Sequence, residues 1–334
     1  MVDQILISII IPVYNVAEWI ERCLLSVCNQ TYSDIECIIV DDCTPDNSMD
    51  IVAHVLENYV GPIVFKVITH NKNQGLSAAR NSGIINASGD YLYFLDSDDE
   101  LYSSHDMQLF YSYVNKYGKS DFFVADYEGI GFDFHLPIPL FDKAIGKDIF
   151  YSYIRGEWSM IACAKFIKRT FLIKNNLFFE EGLLHEDELF SFRLSFFASS
   201  MVVIKEQAYR YYMRAGSIMN SKKYKNFSDI LHIISLKHSL LIEKKVTFNK
   251  EITSYFISIL FGFICSVVDC DMLSKNEKIF LLKGTKGELK SWKILDEKVL
   301  NIKSLIEYCF MFMPLSLQIR LLKIFNMCRK TIVD

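Results

Sequence analysis

Runs of strand length and mainly apolar character, at residues 5–11, 35–40, 63–68 and 91–95, alternate with stretches of helical period, and this alternation limits the fold more than any other feature. Strands apolar on both faces belong inside a sheet that is covered on both sides. Between them, Val16, Trp19, Ile20, Cys23, Leu24 and Val27 fall at helical spacing. Ile51, Val52, Val55, Leu56 and Tyr59 make a second stripe behind the capping candidates Asp46 and Ser48, and residues 75–87 make a third. Strand and helix at this spacing predict a parallel, three-layer α/β domain.

From about residue 220 the pattern changes to helical stretches bearing lysines, including 228–243, 250–268 and 302–327. Two parts are expected: an α/β domain over 1–220 and a mainly helical part over 221–334. A content of 51% hydrophobic and 14% aromatic residues in 334 supports a core of that extent. The apolar stretch 255–268 is shorter than the roughly 20 residues a membrane-spanning helix needs, so a buried or interfacial helix is expected there. Met1, Val2, Asp3 and Gln4 lead directly into the first apolar run, without the features of a signal peptide, and a cytosolic protein is expected. Nine cysteines without a C-x-x-C pair point to reduced core residues rather than to disulfides or zinc.

Charge is unevenly divided. Residues 1–220 hold 17 Lys+Arg against 29 Asp+Glu, and residues 221–334 hold 19 against 11. The acidic front half suits a metal site and argues against a nucleic-acid partner. The basic back half suits either peripheral contact with an anionic membrane or the solvated face of a helical tail.

In parallel sheets the ligand lies beyond the carboxyl ends of the strands, so the residues that follow each run matter most. They are Pro12, Val13, Tyr14 and Asn15, then Asp41 to Asp46, then His70 to Asn73, then Asp96, Ser97, Asp98 and Asp99. No G-x-G-x-x-G or P-loop follows the first strand, which disfavours dinucleotide and P-loop chemistry. Asp96 and Asp98 are two apart in an extended segment and can face one point, where Mg2+ or Mn2+ would be held by few protein oxygens plus substrate phosphates. A D-x-D triplet alone is also common in solvated loops; here it ends an apolar strand and precedes a third carboxylate.

Taken in order, residues 8–15 (SIIIPVYN), 29–31 (NQT), 40–42 (VDD), 75–81 (GLSAARN) and 94–99 (FLDSDD) resemble glycosyltransferase family 2. The resemblance is dense over 1–100 and looser over 158–214. It implies the GT-A fold and an inverting enzyme that uses a metal-bound nucleoside diphosphate sugar. Carried over, it puts Pro12, Tyr14 and Asn15 around the nucleoside and Asp42 on the base, which favours uracil, with Asp41 shaping the loop. Asn73 and Arg80 would line the donor pocket, Arg80 either facing phosphate or serving as a structural ion-pair residue. Asp96, Ser97 and Asp98 would hold the donor diphosphate, with Asp98 as the direct metal ligand, Asp96 either on the metal, directly or through water, or on the donor's ribose, and Asp99 orienting the pair. Arg214, in a glycine-containing segment, would approach the diphosphate.

The second constellation is His185, Glu186, Asp187 and Glu188 ahead of an apolar helix. Carboxylates in a first turn suit the helix dipole whatever else they do. Acidic residues there can also take the proton of an attacking hydroxyl. The resemblance makes Asp187 the general base and Glu186 the alternative, on the acceptor side; His185 reads as a supporting or core residue rather than a ligand. Trp158, in a segment with Lys165 and Arg169, would border the acceptor sugar as a stacking platform. Cys43 stands where glycine or another small residue is common, a departure expected to change packing and not charge. The expected function is transfer of a sugar to a hydroxyl of a glycan or lipid-linked glycan. The competing readings are a sugar nucleotidyltransferase, disfavoured by the missing glycine-rich loop, and a non-catalytic sugar-nucleotide-binding or scaffold subunit.

Overall fold

The computed structural model describes residues 4–131, 137–213, 223–292, 302–314, 317–318 and 320–321. The chain divides into two compact units, Met1–Arg214 and Ala215–Asp334.

The first unit is built on one sheet of eight strands in the order β3-β2-β1-β4-β7-β5-β8-β6. Its first half contains β1 (Ile7–Val13), β2 (Ile35–Asp41), β3 (Val64–Thr69) and β4 (Tyr91–Phe94), all parallel. Every residue of β1, β2 and β4 is buried, including Ser8, Glu36 and Asp41 within otherwise apolar sequences. Helices α1 (Ile20–Cys28), α2 (Ser48–Glu57) and α3 (Leu76–Asn86) are the three periodic stretches. Gly83 lets α3 lie directly on β1, because a Cβ there would come within 2.3 Å of Ile10 Cγ2. Pro12 falls beyond Ile10, the last β1 residue paired with β4, so its missing N–H costs the sheet no bond on that side.

Two sequence expectations need correction. β3 is apolar in composition but forms the sheet edge, with Val64 and Val67 exposed. Lys66 at its centre reaches Glu36 Oε2 at 2.7 Å, and a charge in mid-strand discourages edge-to-edge pairing. The sheet is also mixed rather than parallel. After α4 (Asp106–Tyr117) come β5 (Phe122–Ile130), β6 (Lys143–Ile145), α5 (Lys147–Ile154), β7 (Lys165–Lys168), α6 (Arg169–Lys174), α7 (Glu186–Phe197) and β8 (Ser200–Tyr212). β7 runs antiparallel to both β4 and β5 and joins the two halves. Tyr91, Phe110, Phe123 and Phe166 fill that junction, with Phe110 and Phe166 stacked at 4.1 Å.

The second unit contains α8 (Tyr224–Glu243), α9 (Lys250–Asp269), α10 (Lys275–Ser291) and α11 (Ile302–Phe312). α10 escapes the apolar-periodicity reading because it is largely polar; a Ser274–Glu277 capping box starts it. The expected helical stretch over 302–327 is broken after Phe312, ahead of Pro314, and the described residues 317–318 and 320–321 are helical again. The length argument for residues 255–268 also fails, since α9 runs 20 residues and is long and apolar enough to cross a membrane by length and composition. Ile252, Phe256, Leu260, Phe263, Ile264 and Val267 nevertheless form a buried stripe, and α9 packs against α8, α10 and α11 as the core helix of its unit. Beside it His238 stacks on Trp292 at 4.9 Å, and burial lowers its pKa to about 4. All cysteines among the described residues are free thiols.

Candidate active site

β1, β2 and β4 end on one side of the sheet, and their following residues form the floor of the site. Tyr14 is exposed, and Asn15, at φ 54°, turns the chain while its N–H donates to Thr44 Oγ1 at 2.8 Å. Asp46 binds the Ala17 N–H, the Thr44 hydroxyl and Ser48, linking the loops after β1 and β2. Those bonds outweigh desolvation and lower its carboxyl to about 2. Cys43 is exposed at φ 56°. At that φ a side chain is strained where glycine is not, so Cys43 bears on backbone conformation and not only, as expected from sequence, on packing.

Asp42 is buried and well bonded. Oδ1 accepts from His70 Nδ1 at 2.7 Å and the Gln74 N–H at 2.8 Å, and Oδ2 accepts from the Gly75 N–H at 2.7 Å. A carboxylate offers about four acceptor positions, which leaves Oδ2 room for one more donor. His70 follows β3 in the list of strand-end residues, yet nothing in its sequence context reveals that it supports Asp42. Asn73 is exposed on the same loop.

After β4 the chain makes a turn closed by the Asp99 N–H to the Asp96 carbonyl at 3.0 Å, with Ser97 buried inside it. The Asp96 side chain is 25% exposed. Its Oδ1 accepts from Arg80 Nη2 at 2.7 Å and its Oδ2 from the Cys163 thiol at 3.2 Å. Asp98 is partly exposed, and Arg22 of α1 holds its carbonyl while stacking on the Tyr212 ring at 3.6 Å. Asp99 is buried; it accepts from Tyr209 Oη at 2.6 Å and the Tyr212 N–H at 2.8 Å, tying the turn to β8. Burial, then the charges of Asp98 and Asp96, raises its pKa well above the carboxylate range. Neither Arg22 nor Tyr209 carries a motif, so both were invisible in the sequence.

Among the described residues no cluster of three or more His, Cys, Asp or Glu side chains makes a ready-built cation site. Asp96 and Asp98 do supply hard oxygens at a partly exposed turn, and Arg80 already engages one of the Asp96 oxygens. Such a sparse oxygen set fits Mg2+ or Mn2+, which take their remaining ligands from phosphates and water.

Opposite the turn stands α7. His185 adopts φ 63°, and Glu186, Asp187 and Glu188 occupy the first turn. Arg80 Nη1 donates at 2.7 Å to both Glu186 Oε1 and Asp187 Oδ1, so residues 80, 96, 186 and 187 meet at one guanidinium. Asp187 Oδ2 accepts the Ala162 N–H at 3.1 Å, and its side chain remains 22% exposed. Burial and then the neighbouring Asp187 raise Glu186 to about 7, against the opposing pull of Arg80. The peptide of Ala162 is steadied by Lys165, buried in β7, whose Nζ donates to the carbonyls of Ser159 and Ile161. Burial lowers the Lys165 ammonium to about 8.

Trp158 is not placed to stack on a sugar. It is 2% exposed, donates Nε1–H to Ser152 Oγ at 3.0 Å, and lies against Phe122 and Tyr153. Apolar packing claims the ring, leaving no face open. Arg214 lies outside the described residues.

A family model described as Glycosyl transferase family 2 matches residues 8–174. The chain belongs to glycosyl transferase family 2. Within the curated glycosyltransferases it is 31% identical over 271 residues to a putative glycosyltransferase, EpsH, of Bacillus subtilis, covering 75% of this chain and 74% of that one. The structure of S. aureus TarS 1–349 in complex with UDP-GlcNAc matches it with a TM-score of 0.61 at 20% identity, over 86% of this chain and 89% of that one. The mannosyltransferase PcManGT from Pyrobaculum calidifontis, in complex with GDP-Man and Mn2+, matches with a TM-score of 0.52 at 13% identity, over 91% and 86%. This family member thus has the mixed α/β fold of the GT-A type followed by helices, and it is a glycosyltransferase that moves a sugar from a nucleotide sugar. The matched region ends before α7, so Asp187 lies outside it.

Proposed function

We propose that the protein transfers a sugar from a UDP-sugar to a hydroxyl of a glycan or lipid-linked glycan in one inverting displacement, within a GT-A domain over 1–220. The observation that carries this reading is the meeting of Asp96, from the end of β4, with Asp187, from the start of α7, on the Arg80 guanidinium. Two acidic segments far apart in sequence thereby face one cleft, each with a partly exposed carboxylate.

The exposed Tyr14 packs near the uracil ring, between Pro12 and Asn15, and Asp42 Oδ2 accepts the imino N–H. Asn73 borders the donor. Asp98 and Asp96 would hold Mg2+ or Mn2+, whose chemistry is to offset charge developing on the diphosphate leaving group. Asp187 accepts the proton of the acceptor hydroxyl as that oxygen bonds to the anomeric carbon and the bond to the diphosphate breaks. Its Oδ1–Arg80 and Oδ2–Ala162 bonds fix the orientation of the carboxylate, and Glu186 borders the acceptor side. The UDP-GlcNAc complex of TarS supports a uridine donor, and the Mn2+ complex of PcManGT supports metal assistance. A lipid-linked acceptor draws support from the basic second unit and from Leu305, Ile306 and Phe312, which α11 leaves exposed.

The test is metal-dependent UDP release from a panel of nucleotide sugars, with and without glycan acceptors. Release that requires a UDP-sugar, Mg2+ or Mn2+ and an acceptor, with inverted product stereochemistry, is expected. Retained anomeric configuration, or release untouched by chelation, refutes the mechanism.

A further inference from the structure

We propose that Arg80 is a positioning residue rather than a phosphate ligand: its guanidinium holds Asp187 in the orientation for proton removal and, through its other arm, restrains Asp96 as a cation ligand. The inference rests on the reading of Asp187 as base and Asp96 as metal ligand given above.

Burial supplies the first argument. Arg80 is 1% exposed, held in α3 with its guanidinium 5.2 Å from the centre of the Phe179 ring, so a diphosphate reaches it only if the site is taken apart. The second argument is how its donors are used. Nη2 serves Asp96 Oδ1, and Nη1 serves Glu186 Oε1 and Asp187 Oδ1, all at 2.7 Å; Nε is buried with no hydrogen-bond partner among the described residues. One cation thus faces three carboxylates from two elements, and both terminal nitrogens already face carboxylates rather than the open side of the cleft.

The third argument is competition. An Asp96 oxygen bound to Arg80 is a poorer cation ligand, and the guanidinium charge repels a cation nearby. Arg80 therefore weakens the metal side of the site while fixing the base side. Arg80 joins the two carboxylates that the reaction needs in register, alongside the Ala162 N–H and the Cys163 thiol, which bind Asp187 and Asp96 from the other side.

The proposal predicts opposite changes in two quantities. Arg80→Met should bind Mn2+, titrated by electron paramagnetic resonance in the presence of UDP, at least about tenfold more tightly, while kcat falls about a hundredfold or more. UDP affinity measured without metal should be unchanged. Arg80→Lys keeps the charge on a single-point donor. It serves as the check against misfolding, with near-native Mn2+ affinity and kcat reduced by about tenfold or more. A merely structural role would not tighten metal binding. Weaker UDP binding in the absence of metal, or Mn2+ affinity unchanged or lowered in Arg80→Met, overturns the proposal. Asp187→Asn, assayed alongside, separates the two levels. An active Asp187→Asn overturns the base assignment itself, whereas an inactive Asp187→Asn beside a fully active Arg80→Met overturns only the role given to Arg80.

Discussion

Glu36 offers the sharpest quantitative test of how the donor half of the sheet is held together. It lies in mid-sheet on β2, 3% exposed, where burial alone would raise its pKa. Lys66 Nζ at 2.7 Å, Ser8 Oγ at 2.5 Å, the Ser88 N–H and hydroxyl at 2.6 and 2.8 Å and the Gly89 N–H at 3.0 Å overcome that penalty. Together they lower the carboxyl from 4.5 to about 2. At about 1.4 kcal/mol per pKa unit, the ionised form contributes on the order of 3 kcal/mol to stability at pH 7. The sign follows from the lowered value: the contribution is complete above about 4.5, falls to about 1 kcal/mol at pH 3, and is lost as pH drops through about 2. Glu36→Gln removes it, and whichever way the amide turns, its NH2 meets a donor, so a loss of about 3–5 kcal/mol at neutral pH is expected. Hydrogen exchange of the β1 and β2 amides, followed at pH 7 and pH 3, reads this unit without assuming that the whole chain unfolds in one step. A variant that loses less than about 1 kcal/mol at pH 7, or whose deficit is the same at both pH values, refutes the reasoning.

Four further outcomes are expected. Asp187→Asn should lower turnover by about a hundred- to ten-thousandfold while donor binding, followed by calorimetry, persists; its amide must face either Arg80 or the Ala162 N–H, so a stability loss of about 1–3 kcal/mol should accompany it in thermal melts. Asp98→Asn should abolish Mn2+ dependence more completely than Asp96→Asn, because Arg80 and Cys163 already engage both Asp96 oxygens; the reverse order in a metal titration would reject that division. Gly89→Ala places a Cβ within 2.4 Å of Ser8 Oγ and 2.9 Å of the Leu6 carbonyl, and should destabilise by about 1–3 kcal/mol in denaturant titrations. Glu186 is raised from 4.5 to about 7, so its ionisation opposes folding; Glu186→Gln should gain stability relative to the native chain as pH rises between those values, and a gain confined to lower pH would contradict the assignment.

Much of the donor half was legible because one-dimensional pattern and three-dimensional role coincide there. Runs buried on both faces became β1, β2 and β4, and the polar residues after them gather at the strand ends where the proposed site lies. The failures have physical causes. Val64 and Val67 are as apolar as a core strand, and sequence alone does not say that no further strand pairs beyond them. β7 is only four residues long and pairs antiparallel with strands distant in sequence, so neither its direction nor its neighbours follow from local spacing. Trp158 carries no mark that separates a ring packed on Phe122 from one open to a sugar. The convergence on Arg80 was beyond reach because it depends on where α7 begins relative to α3 across the sheet. Pro314 is a different case: a proline there interrupts the last helical stretch, and that signal is present in the sequence itself.

The seam at β7 bears on how such an enzyme can be remade. Apart from Arg214, everything proposed for the nucleotide comes from one continuous stretch ahead of α4, whereas the proposed proton acceptor, Asp187, comes from the later stretch that carries β7 and α7. A chimera that exchanges the later stretch for that of a relative would inherit a new acceptor preference with the old donor preference. Its fitness would depend on a short list of matches across the join: a partner for β4 in place of β7, and an acidic pair that accepts the Arg80 guanidinium.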